Sequence, residues 1–136
     1  MRKKTTRYAW FLMFSGSLLA TSCDREVEDR LPGEWSYSDT RITEVTYNGV
    51  NSSETTNAAG TINFDKDKSG TLATDNGTSE FTWETSADSV HITTNGATSS
   101  YSIVDNSKSR QEWENITTES DSNYTFTTTT SITLTQ

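Results

Sequence analysis

One cysteine, one proline and one histidine stand in a chain of 136 residues, and each scarcity removes a class of explanation. A single thiol permits no internal disulfide, so stability must come from a packed core. With one His and one Cys there is no zinc-ligand spacing. His91 sits between Val90 and Ile92, so it points outward if they point inward, and no Ser-His-Asp set assembles around it. Helix signals are almost missing as well: Ala and Leu are scarce and no ten-residue stretch carries a 3.6-residue period. Positive charge is also short, with 11 Lys and Arg against 19 Asp and Glu for a net charge of −8. That balance argues against nucleic acid, whose phosphates need cations, and against electrostatic docking on anionic lipid. Glu112 and Glu114 share a strand face, the arrangement of an acid–base pair for glycoside cleavage, but so acidic a chain places such pairs by default. The expectation is a protein that is not an enzyme and uses no cofactor.

The cations that exist are unevenly placed. Arg2, Lys3, Lys4 and Arg7 lie in MRKKTTR, followed by the uncharged YAWFLMFSGSLLA, then TS and Cys23. This is the layout of a secretory signal, and the apolar run is shorter than the about 20 residues needed to span a bilayer as a helix. The small residues Ala20, Thr21 and Ser22 run directly into Cys23, with acidic residues behind it. The segment resembles a bacterial lipoprotein signal with its lipobox, although Ala20 stands where that family most often has Leu. The resemblance implies that the Cys23 sulfur receives a diacylglycerol, that residues 1–22 are removed and that the new amino terminus is acylated. Several acyl chains at about 0.8 kcal/mol per buried CH₂ hold a protein on a membrane stably. Removal of the signal leaves 114 residues with seven cations against 19 carboxylates, a net charge of −12.

Residues 24–32, DREVEDRLP, are charged, lack periodicity and end in the single Pro. They read as part of a tether, so that 23–32 is lipidated Cys plus linker and 33–136 is one domain. The acidic cluster is similar to the sorting signals of surface-exposed lipoproteins in the Bacteroidota. The expected location is the cell envelope, on the outer membrane, facing the periplasm or the surface.

Beyond the tether, large apolar residues alternate with Thr, Ser and charges. Trp35, Tyr37, Val45 and Tyr47 share one parity; Ile62 and Phe64, Leu72, Phe81 and Trp83, Val90 and Ile92, Tyr101 and Ile103, and Trp113 follow; Tyr124, Phe126, Thr128, Thr130, Ile132 and Leu134 line one face of the last run. This alternation marks eight strands, each with one buried and one wet face. Burying both Trp113 and Ile116, which differ in parity, would require a bulge. Turn words separate the strands: Asn48-Gly49, 68–70, Asn76-Gly77, 86–88, Asn95-Gly96, 106–108 and 120–123. Only 48–60 reads as a longer polar loop. Short connections force neighbours in sequence to pair, which predicts an all-β, eight-stranded antiparallel up-and-down meander barrel; long first and last strands able to pair can close it and remove both sheet edges, with an open or flattened barrel as the alternative.

The opening L-P-G-E-W, with Gly33 and Trp35, is similar to the G-x-W start of the lipocalin and lipocalin-like families, in which the Trp closes one end of the barrel. The order I-x-F…G-T-L (Ile62 to Leu72), F-x-W (Phe81 to Trp83), Y-x-I (Tyr101 to Ile103) and a Thr-rich last strand looks like small lipocalin-like lipoproteins of the Bacteroidota. Such a barrel is just wide enough to be filled or to hold one small ligand. A ligand would be hydrophobic or amphipathic and would meet Trp35, Tyr37, Phe64, Phe81, Trp83, Tyr101 and Phe126, with the inward Thr128 and Thr130 lining a small, partly polar cavity. If the barrel is filled, the alternative is a protein- or glycan-interaction module, or an inhibitor of a secreted enzyme. The partners expected are the membrane, through the lipid on Cys23, and no nucleic acid; the chain is expected to be a monomer.

Two short motifs remain. Asp65, Asp67, Ser69 and Gly70 follow the D-x-D-x-S-G opening of an EF-hand calcium loop, but position twelve is Asn76 and the flanks read as strands. A polar hairpin tip in which Gly70 takes a positive φ accounts for the same residues without a metal. Asp88, Ser89 and Val90 resemble the D-S-hydrophobic acceptor for O-glycans in the Bacteroidota, with Ser89 as the modified residue. The anchor makes the sharpest prediction: Cys23→Ala shifts the protein from the membrane to the soluble fraction, and continued membrane attachment of that variant would refute lipidation at Cys23.

Overall fold

The computed structural model describes residues 27–136. The signal, Cys23 and the first part of the tether lie outside the described residues. Eight strands follow in order: β1 (Gly33–Tyr47), β2 (Val50–Phe64), β3 (Ser69–Thr74), β4 (Gly77–Thr85), β5 (Ser89–Thr94), β6 (Ala97–Asn106), β7 (Arg110–Ser120) and β8 (Tyr124–Thr135). Each pairs antiparallel with the next, as the short connections predict, and β8 returns to β1, so the meander closes into a barrel and is neither open nor flattened into a sheet. The physical cause is visible in single strands. In β1, Trp35 and Tyr37 are buried while Glu34, Ser36 and Ser38 are exposed, and β4 repeats this with Phe81 and Trp83 against Glu80, Thr82 and Glu84. Asn48-Gly49 and Asn95-Gly96 have positive φ at both residues, the turn whose twist matches paired strands.

One residue without a side chain shapes the core. Gly70 of β3 lies opposite Phe81 of β4, and a Cβ there would come within 2.4 Å of the Phe81 ring. The empty position is what lets the ring lie across the sheet. At this hairpin the positive φ belongs to Lys68, at 73°, and not to Gly70; the tip is closed by the bond from the Lys68 N–H to the Asp65 carbonyl at 3.1 Å.

Three other expectations are corrected. Residues 50–60 are not a loop: they form the outer part of β2, in unbroken register with β1 from Tyr47↔Val50 to Gly33↔Phe64. Their small polar side chains bury little, but the β1 backbone beside them satisfies one edge of their ladder. The tether does not run to residue 32. Val27–Arg30 form a helical turn, closed by the Leu31 N–H on the Val27 carbonyl at 3.0 Å, and Val27 and Leu31 are 2% and 0% exposed within the core. Apolar residues four apart put both on the inner side of one turn, and the Trp35 indole N–H donates to the Leu31 carbonyl at 2.8 Å. Nor does a bulge bury Ile116: β7 and β8 pair without a break, Trp113 points in, and Ile116 is exposed on the outer face. The one register shift lies in β6, between Ile103 and Asp105.

The strands are unequal, which decides the outline. β1 and β2 have 15 residues each and β3 and β5 only six. β2 pairs with β3 only over Gly60–Phe64, and β7 pairs with β6 only over Gln111–Glu114. Above that level β2, β1, β8 and β7 continue alone as a four-stranded wall. The stretch Thr40–Tyr47 carries it roughly 25 Å beyond the closed section, at about 3.3 Å per residue. Leu31→Ala is expected to lower the unfolding free energy by about 2–5 kcal/mol, the cost of a core cavity; a urea midpoint equivalent to a change within about 0.5 kcal/mol, as at an exposed site, would return this residue to the tether.

Candidate functional site

The interior of the closed section is built around Phe64. Its ring meets Phe81, Trp83 and Trp113 edge-on, with centroids at 5.4, 5.6 and 5.9 Å, contacts worth about 0.5–1.5 kcal/mol each beyond area burial. Tyr101 packs on Trp113 at 6.4 Å. Of the residues expected to line a ligand site, Trp35, Tyr37, Phe64, Phe81 and Trp83 are buried in this core and Tyr101 is packed against it. Phe126 is half-buried and stands higher, on the wall, paired with Val45. Among the described residues, grooves of about 350 to 570 Å³ mark the surface; Phe81 lines one of about 570 Å³ and Trp83 two of about 510 and 390 Å³, whereas Trp35, Tyr37, Phe64, Trp113 and Tyr101 line none of these. Leu31 and Leu134, both 0% exposed, complete the packing.

Among the described residues, two buried polar atoms of this core have no protein partner, Gln111 Oε1 and Trp113 Nε1. The amide nitrogen of Gln111 is committed to Asn106 Oδ1 at 2.7 Å and the Ser107 carbonyl at 2.9 Å, so it fastens the β6–β7 turn. The indoles of Trp35 and Trp83 are satisfied; Trp83 Nε1 donates to the carbonyls of Ser69 at 3.0 Å and Asp65 at 3.2 Å.

A carboxylate marks the level where the core ends. The Tyr37 hydroxyl donates to Asp39 Oδ2 at 2.7 Å, and the Ala58 N–H donates to Oδ1 at 3.0 Å. Burial, then the bond to Asp39 and its charge, push the Tyr37 hydroxyl well above the ordinary tyrosine range. Thr130, 7% exposed, sits on the neighbouring strand, where its partner across the ladder is Arg41.

The D-x-D-x-S-G motif is folded on itself. Ser69 Oγ donates to Asp67 Oδ1 at 2.5 Å and reaches Asp65 Oδ2 at 3.3 Å, the Ser69 N–H donates to Asp67 Oδ1 at 2.9 Å, and Asn63 Nδ2 donates to Asp65 Oδ1 at 2.9 Å. The Ser69 hydroxyl, then its N–H, hold the Asp67 carboxyl below its usual range. Among the described residues no three carboxylate, imidazole or thiolate groups converge as a metal site would require. Lys68 of the same turn ion-pairs with Glu28 of the helical turn and lies 4.1 Å over the Trp83 ring. His91 bridges Ser86 Oγ at 3.2 Å and Ser100 Oγ at 2.7 Å. With both ring nitrogens on hydroxyls, neither is oriented by a carboxylate as a catalytic imidazole is. Glu112 is paired with Arg110 on the strand surface. Ser89 donates to Asp88 Oδ1 at 3.0 Å and stands half-buried beside the fully buried Val90.

The wall is the part that sequence reasoning missed, and its signal lay in the unequal lengths of the alternating runs. On the side continuous with the barrel interior, Val45 faces Phe126, and Tyr47 lies between Tyr124 and Val50. Tyr47, Val50 and Tyr124 are 58%, 70% and 40% exposed. Thr43, Thr128 and Thr117 continue this face toward Thr130. No protein-family model matches the chain, and no curated protein matches it.

Tyr37 supplies a pH prediction. A hydroxyl whose folded pKa is raised favours the neutral form in the folded state, so its contribution is intact below the unfolded value of about 10 and is lost as pH rises beyond it. Tyr37→Phe is expected to cost about 1–2 kcal/mol at neutral pH, since Asp39 loses a donor, and to flatten the alkaline loss of stability in urea unfolding between pH 7 and pH 11. Parallel alkaline slopes in the two proteins would contradict the assignment.

Proposed function

We propose that this chain is a lipid-anchored interaction module of the bacterial cell envelope. In this reading Cys23 carries the lipid, the lipocalin-like barrel is a support, and the wall made by β2, β1, β8 and β7 is the docking face. One contrast carries the reading: the closed section is packed with Trp, Phe and Leu, while Tyr47, Val50, Tyr124, Val45 and Phe126 form a contiguous, partly exposed aromatic and aliphatic face on the wall. Exposed apolar clusters with polar margins mark macromolecular docking sites, and tyrosine is among the residues enriched at interface centres.

The same contrast weighs against a carrier of small hydrophobic molecules. An eight-stranded barrel has room for one small ligand or for its own side chains, and Trp35, Phe64, Trp83 and Trp113 occupy that room. The likeness to lipocalins rests on Gly33 and Trp35 at the barrel end and on strand order, which bear on architecture and not on cargo.

A photo-crosslinking amino acid tests the docking face in cells. Placed at Tyr47, it is expected to give a discrete protein adduct in the membrane fraction, whereas at Asn95, at the tip of the opposite β5–β6 hairpin, it gives none. Equal labelling from both positions, or none from Tyr47, would overturn the proposal, and a carbohydrate adduct would make the partner a glycan instead of a protein.

A further inference from the structure

We infer that β2 is a docking strand: an extended, basic segment of a partner protein adds to its free edge as a further strand of the wall. The inference rests on the proposed docking role of the wall and specifies which part of it binds and what chemistry it takes.

The edge is long and bare. β2 leaves β3 at Gly60, so Val50–Ala59 have β1 on one side and, among the described residues, no paired strand on the other. Tyr47 and Val50 close a two-residue turn, which fixes the alternation of the ladder. Val50, Ser52, Glu54 and Thr56 turn their backbone groups toward β1, and the Ala58 N–H on Asp39 agrees with that phase. Asn51, Ser53, Thr55 and Asn57 therefore direct their N–H and C=O groups outward. Proteins usually blunt such an edge with Pro, Lys, a bulge or a short strand. The run VNSSETTNAA has neither Pro nor Lys, its register is unbroken, and its one guard is the charge of the inward-facing Glu54. Its small side chains let another backbone approach. The corresponding edge of β7 is less open, because Asn115 Nδ2 reaches across to the Ser100 carbonyl at 2.7 Å where pairing with β6 ends.

Charge selects the occupant. Residues 40–57 and 115–131, which form the wall, contain four carboxylates (Glu44, Glu54, Glu119 and Asp121) and one cation, Arg41. At the foot of the free edge a groove of about 510 Å³ is lined by Asp39, Asn57, Ala58, Thr74, Asp75 and Asn76. A strand on β2 would set its inward side chains beside Glu54 and Val50, which share the inner face. Lys or Arg suits the acidic foot, and apolar residues suit the tip near Val50. A second copy of the chain would bring its own carboxylates to the same edge. Strand addition of this kind draws affinity from main-chain hydrogen bonds and selectivity from alternate side chains.

The test uses the full chain and synthetic peptides of about ten residues. One alternates Lys with Val and Thr, a second replaces Lys by Glu, and a third is the Lys peptide N-methylated on alternate residues, which keeps the side chains and removes the edge hydrogen bonds. The Lys peptide is expected to slow amide exchange at Asn51, Ser53, Thr55 and Asn57 but not at Ser52 or Glu54, and the Glu peptide to have no effect. N-methylation, or Thr55→Pro in the protein, is expected to weaken binding roughly tenfold or more as several edge bonds are lost, while Glu54→Lys weakens it less and removes part of its salt dependence. Binding that survives both N-methylation and Thr55→Pro overturns strand addition. If the Tyr47 adduct also persists in Thr55→Pro, the docking face stands and only the strand mechanism falls. Self-association of the chain that Thr55→Pro abolishes, with no peptide effect, assigns the edge to a second copy and likewise overturns the proposal.

Discussion

The ring of Phe64 is the constraint on which the rest depends. It comes from β2 and touches side chains of β4 and β7, strands that are not neighbours in the sheet. A sheet of eight strands is free to splay until something inside holds its opposite walls at one distance, and edge-on aromatic contacts are well defined in separation. Gly70 belongs to the same device, since Phe81 reaches Phe64 across the space that a side chain at position 70 would take. The helical turn then closes the base by seating Val27 and Leu31 under these rings. A packed base lets the chain spend its longer strands elsewhere.

Electrostatics divide along the same line. At the base two ion pairs form, Lys68 with Glu28 and Arg110 with Glu112, while the Arg30 guanidinium donates to the Asn106 carbonyl at 2.6 Å. These partly exposed pairs are worth at most about 1 kcal/mol each, so they place the end segments more than they stabilise them. Lys68 illustrates the compromise. It takes a left-handed conformation that costs a non-glycine residue energy, and in that place its ammonium reaches both Glu28 and the face of Trp83. Toward the wall the carboxylates outnumber the cations, and only Arg41 offsets them.

The barrel was legible in the sequence because period-two alternation reports directly on which side chains meet inside a sheet. Trp35, Tyr37, Phe64, Phe81, Trp83, Ile132 and Leu134 all face inward as their parity requires. Two segments escaped for opposite reasons. Residues 50–60 are a strand with almost no apolar residue, and their pairing is set by the register propagated from Phe64 and Ile62, which local composition does not carry. Val27 and Leu31 are apolar residues in a charged stretch, and one turn of helix is too short to show a period. The wall was half visible: Val45, Tyr47, Tyr124 and Phe126 share the inward parity, but parity does not tell whether a strand has neighbours on both sides. That depends on the lengths of β3, β5 and β6, which end before the wall does.

A bare edge of ten residues raises a problem that the charge distribution answers. Strand edges invite like strands, and the lipid anchor proposed for this chain would bring its copies together at high local concentration. For this chain, pairing β2 with β2 would place the Glu54 side chains close together and bring two strongly acidic walls into contact, with like charges opposed across a ladder. The repulsion is specific to acidic partners. The feature that keeps copies apart therefore also admits a strand of the opposite sign, which makes charge, more than shape, the property that decides what this edge accepts.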